Sequence, residues 1–180
     1  MNTKIRKAAS RDLDAIMAVI EEARGTIAAL GIDQWQDGYP QREIIAADIA
    51  EGVSFCIENT DTGEILSTFG VFENGEVLYD RILDGAWRTG DSPSVLAGDV
   101  CYTAIHRVAI SVKARGSGLS GAIIDFVTSL AREKKKESLR IDTHEGNVVM
   151  RRMLEKNGFV HCGTILLESG APRVAYEKLI

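Results

Sequence analysis

Residues 105–130 read IHRVAISVKARGSGLSGAIIDFVTSL, and this stretch decides the fold. It begins with an apolar run, rich in isoleucine and valine, that extends to residue 112. A basic, glycine-rich turn with the sequence RGSG follows at 115–118. From residue 119 to residue 130, apolar residues recur at the spacing of one face of a helix. The order therefore predicts a strand, a tight turn and a helix.

The turn has the chemistry of a diphosphate site. The first amides of a helix have no intrahelical acceptor, and the helix dipole adds about half a positive charge there. Gly116 and Gly118 lack a Cβ, so a phosphate can approach those amides closely, and Arg115 adds a cation.

The stretch is not a P-loop, because no lysine follows Gly121. GSGLSG at 116–121 does spell GxGxxG, but it lies too late in the chain for a doubly wound sheet, so a dinucleotide-binding fragment is the least favoured alternative.

A second motif follows the first one along the chain. After the next predicted strand comes Asn147, and then a helical stretch that ends in LEKNGF at 154–159. The two motifs resemble the coenzyme A pyrophosphate loop, Q/R-x-x-G-x-G/A, and the segment N-x-x-A-x-x-L-Y-E-K-L-G-F of the GNAT acyltransferase superfamily. Two departures are visible: Ser120 replaces a glycine or alanine, and Leu154 stands where the family usually has tyrosine.

The resemblance implies an α/β fold with a mixed, mostly antiparallel central sheet flanked by helices. We expect a single domain of this kind over residues 1–180. The rest of the chain fits this layout by its hydrophobic periodicity and turn signals. The remaining predicted elements are a strand at 3–8, helices at 11–24 (N-capped by Ser10), 27–30 and 41–51, strands at 53–58, 64–72 and 76–79, a long surface connection at 84–98 anchored by Trp87, and a terminal hairpin of strands at 159–167 and 173–179.

The resemblance also implies that acetyl-CoA is the co-substrate. Carried onto this sequence, it assigns the amide that polarises the acyl carbonyl to Ile110, and it pairs Val112 with the pantetheine arm. Asn147 would reach the pantetheine from the start of its helix. The complete set of implied coenzyme contacts is Ile110, Ser111, Val112, Arg115, Gly116, Ser117, Gly118, Leu119, Ser120 and Asn147.

Acetyl transfer to an amine requires that the amine lose a proton. A primary ammonium has a pKa near 10.4, so only about one part in a thousand is neutral at pH 7.4. A positioned base typically recovers about 10²–10⁴-fold in rate. His144, just past the strand that precedes Asn147, and His106, on the central strand, are the candidate bases, because histidine titrates near neutral pH. Glu73 and Asp142 are further alternatives, and a core role for either histidine stays open.

Leu154 raises a separate question, because the family's tyrosine protonates the departing thiolate and leucine cannot. Three alternatives remain open. A coenzyme A thiol is weakly basic, so the reaction can dispense with a dedicated acid; Tyr176 or Tyr102 can take the role; or the protein has lost catalysis.

The loop at 31–40 carries two large aromatic side chains among polar and glycine residues. In the resembled family the connection between the first two helices often lines the acceptor site. We therefore interpret Trp35, Gln36 and Tyr39 as candidates for the wall of a substrate pocket. The alternative is that both aromatic rings fill the core beside the first helix.

Composition excludes several classes of protein. The chain has 180 residues, 45% of them hydrophobic, and a net charge of -5, which argues against a general nucleic-acid binder. No apolar run is long enough to span a membrane and no signal peptide is recognised, so we expect no membrane partner. Cys56, Cys101 and Cys162 lack metal-ligand spacing, so we expect no metal and interpret them as reduced thiols of a cytoplasmic protein.

The expected function is N-acetyl transfer from acetyl-CoA by direct attack in a ternary complex. The expected partner is a primary amine of a small molecule or peptide. The alternative is a non-catalytic coenzyme A-binding sensor or scaffold domain, and Leu154 is its main support. A homodimer is compatible with this kind of fold.

Overall fold

The computed structural model of the chain describes residues 2–90, 93–98 and 100–180. The chain contains seven strands and four α-helices within these described residues. In chain order they are β1 (Thr3–Lys7), α1 (Leu13–Ala28), α2 (Arg42–Ala50), β2 (Ser54–Asn59), β3 (Ile65–Phe72), β4 (Tyr102–Ile110), α3 (Leu119–Glu133), β5 (Ser138–Thr143), α4 (Val148–Lys156), β6 (Val160–Leu166) and β7 (Pro172–Leu179). Short 3-10 helices cover Ser10–Asp12, Val77–Asp80, Val95–Ala97 and Val112–Ala114.

The strands form a seven-stranded sheet in the order β1-β2-β3-β4-β5-β7-β6. The pairs β1–β2, β2–β3, β5–β7 and β6–β7 are antiparallel, whereas β4 and β5 are parallel. A parallel pair needs a long connection, and α3 provides it between these two strands. The predicted mixed, mostly antiparallel sheet flanked by helices is thus confirmed.

The chain divides into two compact units, each made of two segments. The first comprises Met1–Val71 and Arg107–Ile123, and the second comprises Phe72–His106 and Ile124–Ile180. Both β4 and α3 contribute residues to each unit. The expectation of one domain over residues 1–180 stays a prediction.

The core of the first unit forms between α1, α2 and the adjoining strands. Ile16, Val19 and Ile20 lie on one face of α1 because they are three or four residues apart, and all are buried. They share a cluster with Ile45 of α2 and Ala109 of β4. The amphipathic helices predicted from periodicity are therefore present, and α1 continues to Ala28 without the break predicted before residue 27.

The start of α1 differs from the prediction. Ser10 does not cap the helix but begins a 3-10 turn. Asp12 stands at the N-cap position of α1, but its side chain makes no capping bond to that helix. Its Oδ2 accepts a hydrogen bond from the Ala9 amide at 2.8 Å, just before the 3-10 turn. Arg6 of β1 donates two hydrogen bonds to the same carboxylate, at 2.6 and 2.9 Å. The Asp12 carboxylate is therefore tied to β1 and to the start of the 3-10 turn, and not to the first amides of α1.

The core of the second unit is rich in aromatic side chains. Tyr79, Trp87 and Tyr102 are buried together, and Trp87 Nε1 donates to the Tyr79 carbonyl at 2.9 Å. Trp87 therefore anchors the connection at 84–98 as predicted, although residues 91 and 92 of that connection lie outside the described part of the chain. The predicted strand at 76–79 is wrong, since Val77–Asp80 is a 3-10 helix.

The central strand β4 ends earlier than the apolar run predicted. Its last residue is Ile110, and the amide of Ser111 donates to the Leu66 carbonyl at 2.8 Å. The chain then turns at once, because the Ala114 amide donates back to the Ser111 carbonyl at 2.9 Å. Val112 accordingly begins a 3-10 turn and does not extend the strand.

Candidate functional site

The glycine-rich turn between β4 and α3 is shaped as an open cradle. Gly116 and Gly118 have φ angles of 76° and 85°, a region that favours glycine. A Cβ added at either position would meet no atom of the described residues within 4 Å. Helix α3 begins at Leu119, and the Ala122 amide donates to the Gly118 carbonyl at 3.2 Å. Backbone amides at this helix start can therefore be approached closely by an anion.

Hydrogen bonds within the turn hold its shape. The Ser117 hydroxyl donates to the Ala114 carbonyl at 2.5 Å, and the Ser117 amide reaches the same oxygen at 3.4 Å. Ser111 is buried, while Val112 and the residues at 115–118 are exposed. The turn thus combines a buried start with an exposed, glycine-rich end.

Two side chains of α1 contact this turn. Glu22 Oε2 accepts hydrogen bonds from the Val112 amide at 2.8 Å and from the Ser111 hydroxyl at 2.9 Å. Those two bonds, from the Val112 amide first, hold the pKa of Glu22 below its usual range. One helical turn later, Thr26 Oγ1 accepts a hydrogen bond from Arg115 Nη2 at 2.5 Å. The cation predicted for phosphate binding is therefore oriented by α1.

The aromatic loop between α1 and α2 lies in the same unit and is fixed by arginines. Arg107 donates to both carboxylate oxygens of Asp48, at 2.7 and 2.8 Å, and to the Tyr39 hydroxyl at 2.9 Å. Burial alone would lower the pKa of Arg107, but its bonds to Asp48 and Tyr39 outweigh this and raise it. Arg107 also has a φ of 55° within β4, a conformation that bulky residues rarely adopt.

A second arginine holds the loop through its backbone. Arg24 donates to the carbonyls of Gly38 at 2.5 Å, Pro40 at 2.7 Å and Tyr39 at 3.3 Å. Gln36 Nε2 donates to the Arg24 carbonyl at 3.2 Å. The predicted pocket residues therefore sit on an ordered loop.

Trp35 packs against the core of the first unit, as the alternative reading of the loop expected. Its ring centroid lies 6.4 Å from that of Tyr39, with the rings tilted by 59°. Tyr39 is half-buried, and its hydroxyl is bonded to Arg107. The loop thus contributes to the core through Trp35 and presents Tyr39 at a charged cluster.

Asn147 and His144 lie in the second unit, at the connection between β5 and α4. Asn147 is buried and caps α4, since its Oδ1 accepts from the Met150 amide at 3.1 Å. His144 Nδ1 accepts from the Gly146 amide at 2.9 Å. This bond assigns the ring proton of the neutral imidazole to Nε2.

His106 lies in the second unit among aromatic rings and a carboxylate. Its side chain is 14% exposed, and Nε2 lies 3.3 Å from Glu76 Oε2, although none of the described residues gives this nitrogen a hydrogen bond of suitable geometry. The rings of Phe72 and Tyr79 lie 5.2 and 5.8 Å from the imidazole, centroid to centroid.

Glu76 was not predicted as a site residue. Its backbone amide and carbonyl are bonded to the Tyr102 hydroxyl at 3.0 and 3.1 Å, and its Oε1 accepts from the Leu78 amide at 3.2 Å. The carboxylate is thereby fixed, with its other oxygen toward His106. The sequence contains no signal for this role, because residues 76–79 resemble an ordinary strand.

The other candidate bases are engaged elsewhere. Asp142 Oδ1 accepts a hydrogen bond from the Tyr79 hydroxyl at 2.7 Å. Glu73 forms an exposed ion pair with Lys134 at 3.1 Å. Neither arrangement resembles a poised base.

Comparisons with known proteins show the family of the chain. The family model described as the acetyltransferase (GNAT) family matches residues 21–159. The chain belongs to this family. A GNAT-family acetyltransferase from Streptococcus agalactiae 2603 is 37% identical, with a TM-score of 0.83 over 99% of this chain and 95% of that one. A search of curated proteins finds no significant match.

More distant GNAT structures share the fold. The PaiA N-acetyltransferase from Thermoplasma acidophilum, solved in complex with coenzyme A, is 15% identical with a TM-score of 0.70 over 100% of both chains. A GNAT-family acetyltransferase from Listeria monocytogenes 4b F2365 is 21% identical with a TM-score of 0.70, over 99% of this chain and 95% of that one. At these identities the likeness shows the fold alone.

In this GNAT acetyltransferase, the side chain of Leu154 lies in the protein core. It is fully buried, and its carbonyl accepts from the Phe159 amide at 3.1 Å.

The described residues contain no group of three or more histidine, cysteine or acidic side chains that could hold a metal ion. Among the helices of the described chain, none has the length and apolarity that crossing a membrane requires.

Proposed function

We propose that the chain is an N-acetyltransferase that transfers the acetyl group of acetyl-CoA to a primary amine of a small molecule or peptide, by direct attack in a ternary complex. The observation that carries the proposal is the cradle at residues 115–120, which is open to an anion and begins a helix. Family membership supports the same conclusion.

The residues present fit the diphosphate of coenzyme A. The positive φ angles of Gly116 and Gly118 leave the backbone of the turn accessible, and the amides of Leu119 and Ser120 follow at the helix start. Arg115 adds a guanidinium that can bind phosphate oxygens in a bidentate manner. Bound there, acetyl-CoA supplies an activated thioester. The amide of Ile110 is proposed to polarise the acyl carbonyl, and Asn147 to bind the pantetheine.

We propose a structural role for Ser111, Val112 and Ser117 in addition to the expected coenzyme contacts. Their polar groups make bonds within the protein, to Glu22 and to Ala114. We therefore propose that these bonds hold the shape of the loop, while the coenzyme contacts of Ser111, Val112 and Ser117 stay predictions.

His106 is the better of the two candidate bases. A carboxylate 3.3 Å from Nε2 stabilises the imidazolium that forms when the ring accepts a proton. His144 instead uses Nδ1 to accept the Gly146 amide, so that nitrogen is not available to a substrate proton. We propose that His106 takes the proton of the amine, with Glu76 orienting it.

The second candidate function is coenzyme A binding without turnover, as a sensor or scaffold. Leu154 favours it, because a buried leucine cannot act as the acid that the family's tyrosine provides.

A cytoplasmic location and a homodimer also stay predictions.

The first experiment measures release of the coenzyme A thiol from acetyl-CoA across a panel of amines. The panel contains polyamines, amino acids, aminoglycosides and short peptides, with a reaction lacking amine as the control. Turnover with one class of amine supports the transferase. Binding of acetyl-CoA by calorimetry without turnover on any amine favours the sensor.

A matched pair of variants tests the cradle itself. Gly118→Val and Gly63→Val place the same side chain at φ angles of 85° and 76°, and neither Cβ meets an atom of the described residues within 4 Å. Gly63 lies in the hairpin turn between β2 and β3. Gly118→Val should lose acetyl-CoA binding, and Gly63→Val should retain it. Equal binding by both folded variants contradicts the assignment of the cradle.

A further inference from the structure

We propose that Glu22 and Thr26 of α1 are positioning residues of the diphosphate loop: Glu22 holds the beginning of the loop, and Thr26 orients Arg115. The inference rests on the proposed function, because it concerns the loop that is proposed to bind coenzyme A.

The spacing of the two residues places them on one face of α1. Side chains four residues apart in a helix lie one above the other, about one turn apart. Glu22 contacts the loop at Ser111 and Val112, and Thr26 contacts it at Arg115. One face of one helix therefore holds the loop at its buried start and at its cation.

Glu22 acts as a helix cap supplied by another part of the chain. The Val112–Ala114 turn begins after Ser111, whose own side chain makes no capping bond. The amide of Val112 would otherwise lack a partner within the turn, and the carboxylate of Glu22 accepts it at 2.8 Å. The Ser111 hydroxyl donates to the same oxygen, so a single carboxylate fixes both groups.

Thr26 controls where the guanidinium of Arg115 points. Its hydroxyl donates to the Glu22 carbonyl at 2.9 Å, which leaves its oxygen as the acceptor for Arg115 Nη2. An exposed arginine otherwise samples many rotamers, and ordering such a side chain when a ligand binds costs free energy. A guanidinium already ordered in the free protein reduces this cost.

The opposite reading is that Glu22 occupies an amide that the coenzyme must take, so that the carboxylate competes with the diphosphate. The two readings predict effects of opposite sign. If Glu22 positions the loop, its loss weakens coenzyme binding. If Glu22 competes, its loss strengthens binding.

The test is calorimetric binding of coenzyme A to four single variants. Glu22→Gln and Thr26→Val should each raise Kd about tenfold, which is about 1.4 kcal/mol. Thr26→Ser keeps the hydroxyl and should bind like the wild type. The control is Glu21→Gln, because Glu21 is the neighbouring carboxylate, its side chain is 71% exposed, and it pairs with Arg24 away from the loop. It should change Kd less than twofold.

Hydrogen exchange provides a readout that does not depend on the coenzyme. The peptide that contains Val112 should exchange faster in Glu22→Gln than in the wild type, and at the wild-type rate in Glu21→Gln. Unchanged or tighter binding of coenzyme A by Glu22→Gln would overturn the inference while leaving the proposed function intact, and so would an unchanged exchange rate at Val112. A wild-type protein that does not bind coenzyme A would overturn the proposed function and the inference together.

Discussion

Replacing Glu177 by glutamine should destabilise the protein more than any change at an exposed ion pair. Glu177 is 0% exposed, and its carboxylate accepts from Arg140 Nε at 2.9 Å and from Ser138 Oγ at 2.6 Å. The hydroxyl of Thr89 donates to it at 2.7 Å, and the amides of Arg88 and Thr89 complete the set. The substitution removes the charge that neutralises a guanidinium which is itself 1% exposed.

The magnitude follows from the cost of leaving that guanidinium unpaired. The Arg140 guanidinium carbon lies 4.2 Å from the centroid of the Trp87 ring and 4.1 Å from that of Tyr102, so water cannot readily replace the lost partner. Removing one partner of a buried ion pair costs about 3–5 kcal/mol. For a chain of this size each kcal/mol lowers Tm by about 2–4 °C, so a loss of about 3–5 kcal/mol should lower Tm by about 6–20 °C.

The assay is denaturant unfolding of the wild type, Glu177→Gln, Arg140→Met and the double variant Arg140→Met/Glu177→Gln, which keeps an oxygen for the other donors of the cluster. The double variant should be more stable than either single variant, because both buried charges are gone. The control is Arg42→Gln, whose pair with Asp14 is exposed and should contribute less than about 1 kcal/mol. A loss in Glu177→Gln no larger than in this control would refute the reasoning.

Three further predictions concern stability. Gly85→Ala places a Cβ 1.9 Å from the carbonyl oxygen of Cys162, so its free energy of unfolding should fall by about 1–3 kcal/mol in a urea titration. Asn147→Ala removes the cap of α4 and should cost about 1 kcal/mol by the same measurement. The hydrogen bond from Arg6 is the main reason that the pKa of Asp12 is lowered, so its stabilisation is complete above the unfolded pKa, near 4, and is lost as pH falls through the folded value. Asp12→Asn should therefore flatten the decline of the unfolding free energy below pH 4, and an unchanged decline would contradict this.

Periodicity predicted most helices and strands because their burial repeats at the period of the element. Ile16, Val19 and Ile20 of α1 are spaced as a helical face and are buried as one. The predictions failed where a distant partner decides the local conformation. Residues 76–79 have the composition of a strand, but Val77–Asp80 forms a 3-10 helix. The hydroxyl of Tyr102, 26 positions away, is hydrogen-bonded to the backbone of Glu76 just before this helix.

The candidate site likewise contains residues that could be predicted from the sequence and residues that could not. The glycines of the loop could be found in the sequence, because a backbone with positive φ that is open to an anion requires residues without a Cβ. Glu22 could not be found, since in the sequence it is one of many polar residues on an amphipathic helix. Its partner Ser111 is 89 positions away, and only the folded chain brings the two together.

In the proposed transfer, the candidate acids for the departing thiolate are the phenols of Tyr102 and Tyr176. The Tyr102 hydroxyl donates to the Glu76 carbonyl, and burial is the first cause that raises its pKa. The Tyr176 hydroxyl donates to Glu155 at 3.2 Å. Both hydroxyl protons are therefore already used in hydrogen bonds within the protein. Protonating a thiolate with a pKa near 8.5 at pH 7.4 is worth only about 1.5 kcal/mol, whereas deprotonating the amine costs about 4 kcal/mol. We therefore propose that the thiolate departs without a dedicated acid, which makes Leu154 alone weak support for the sensor.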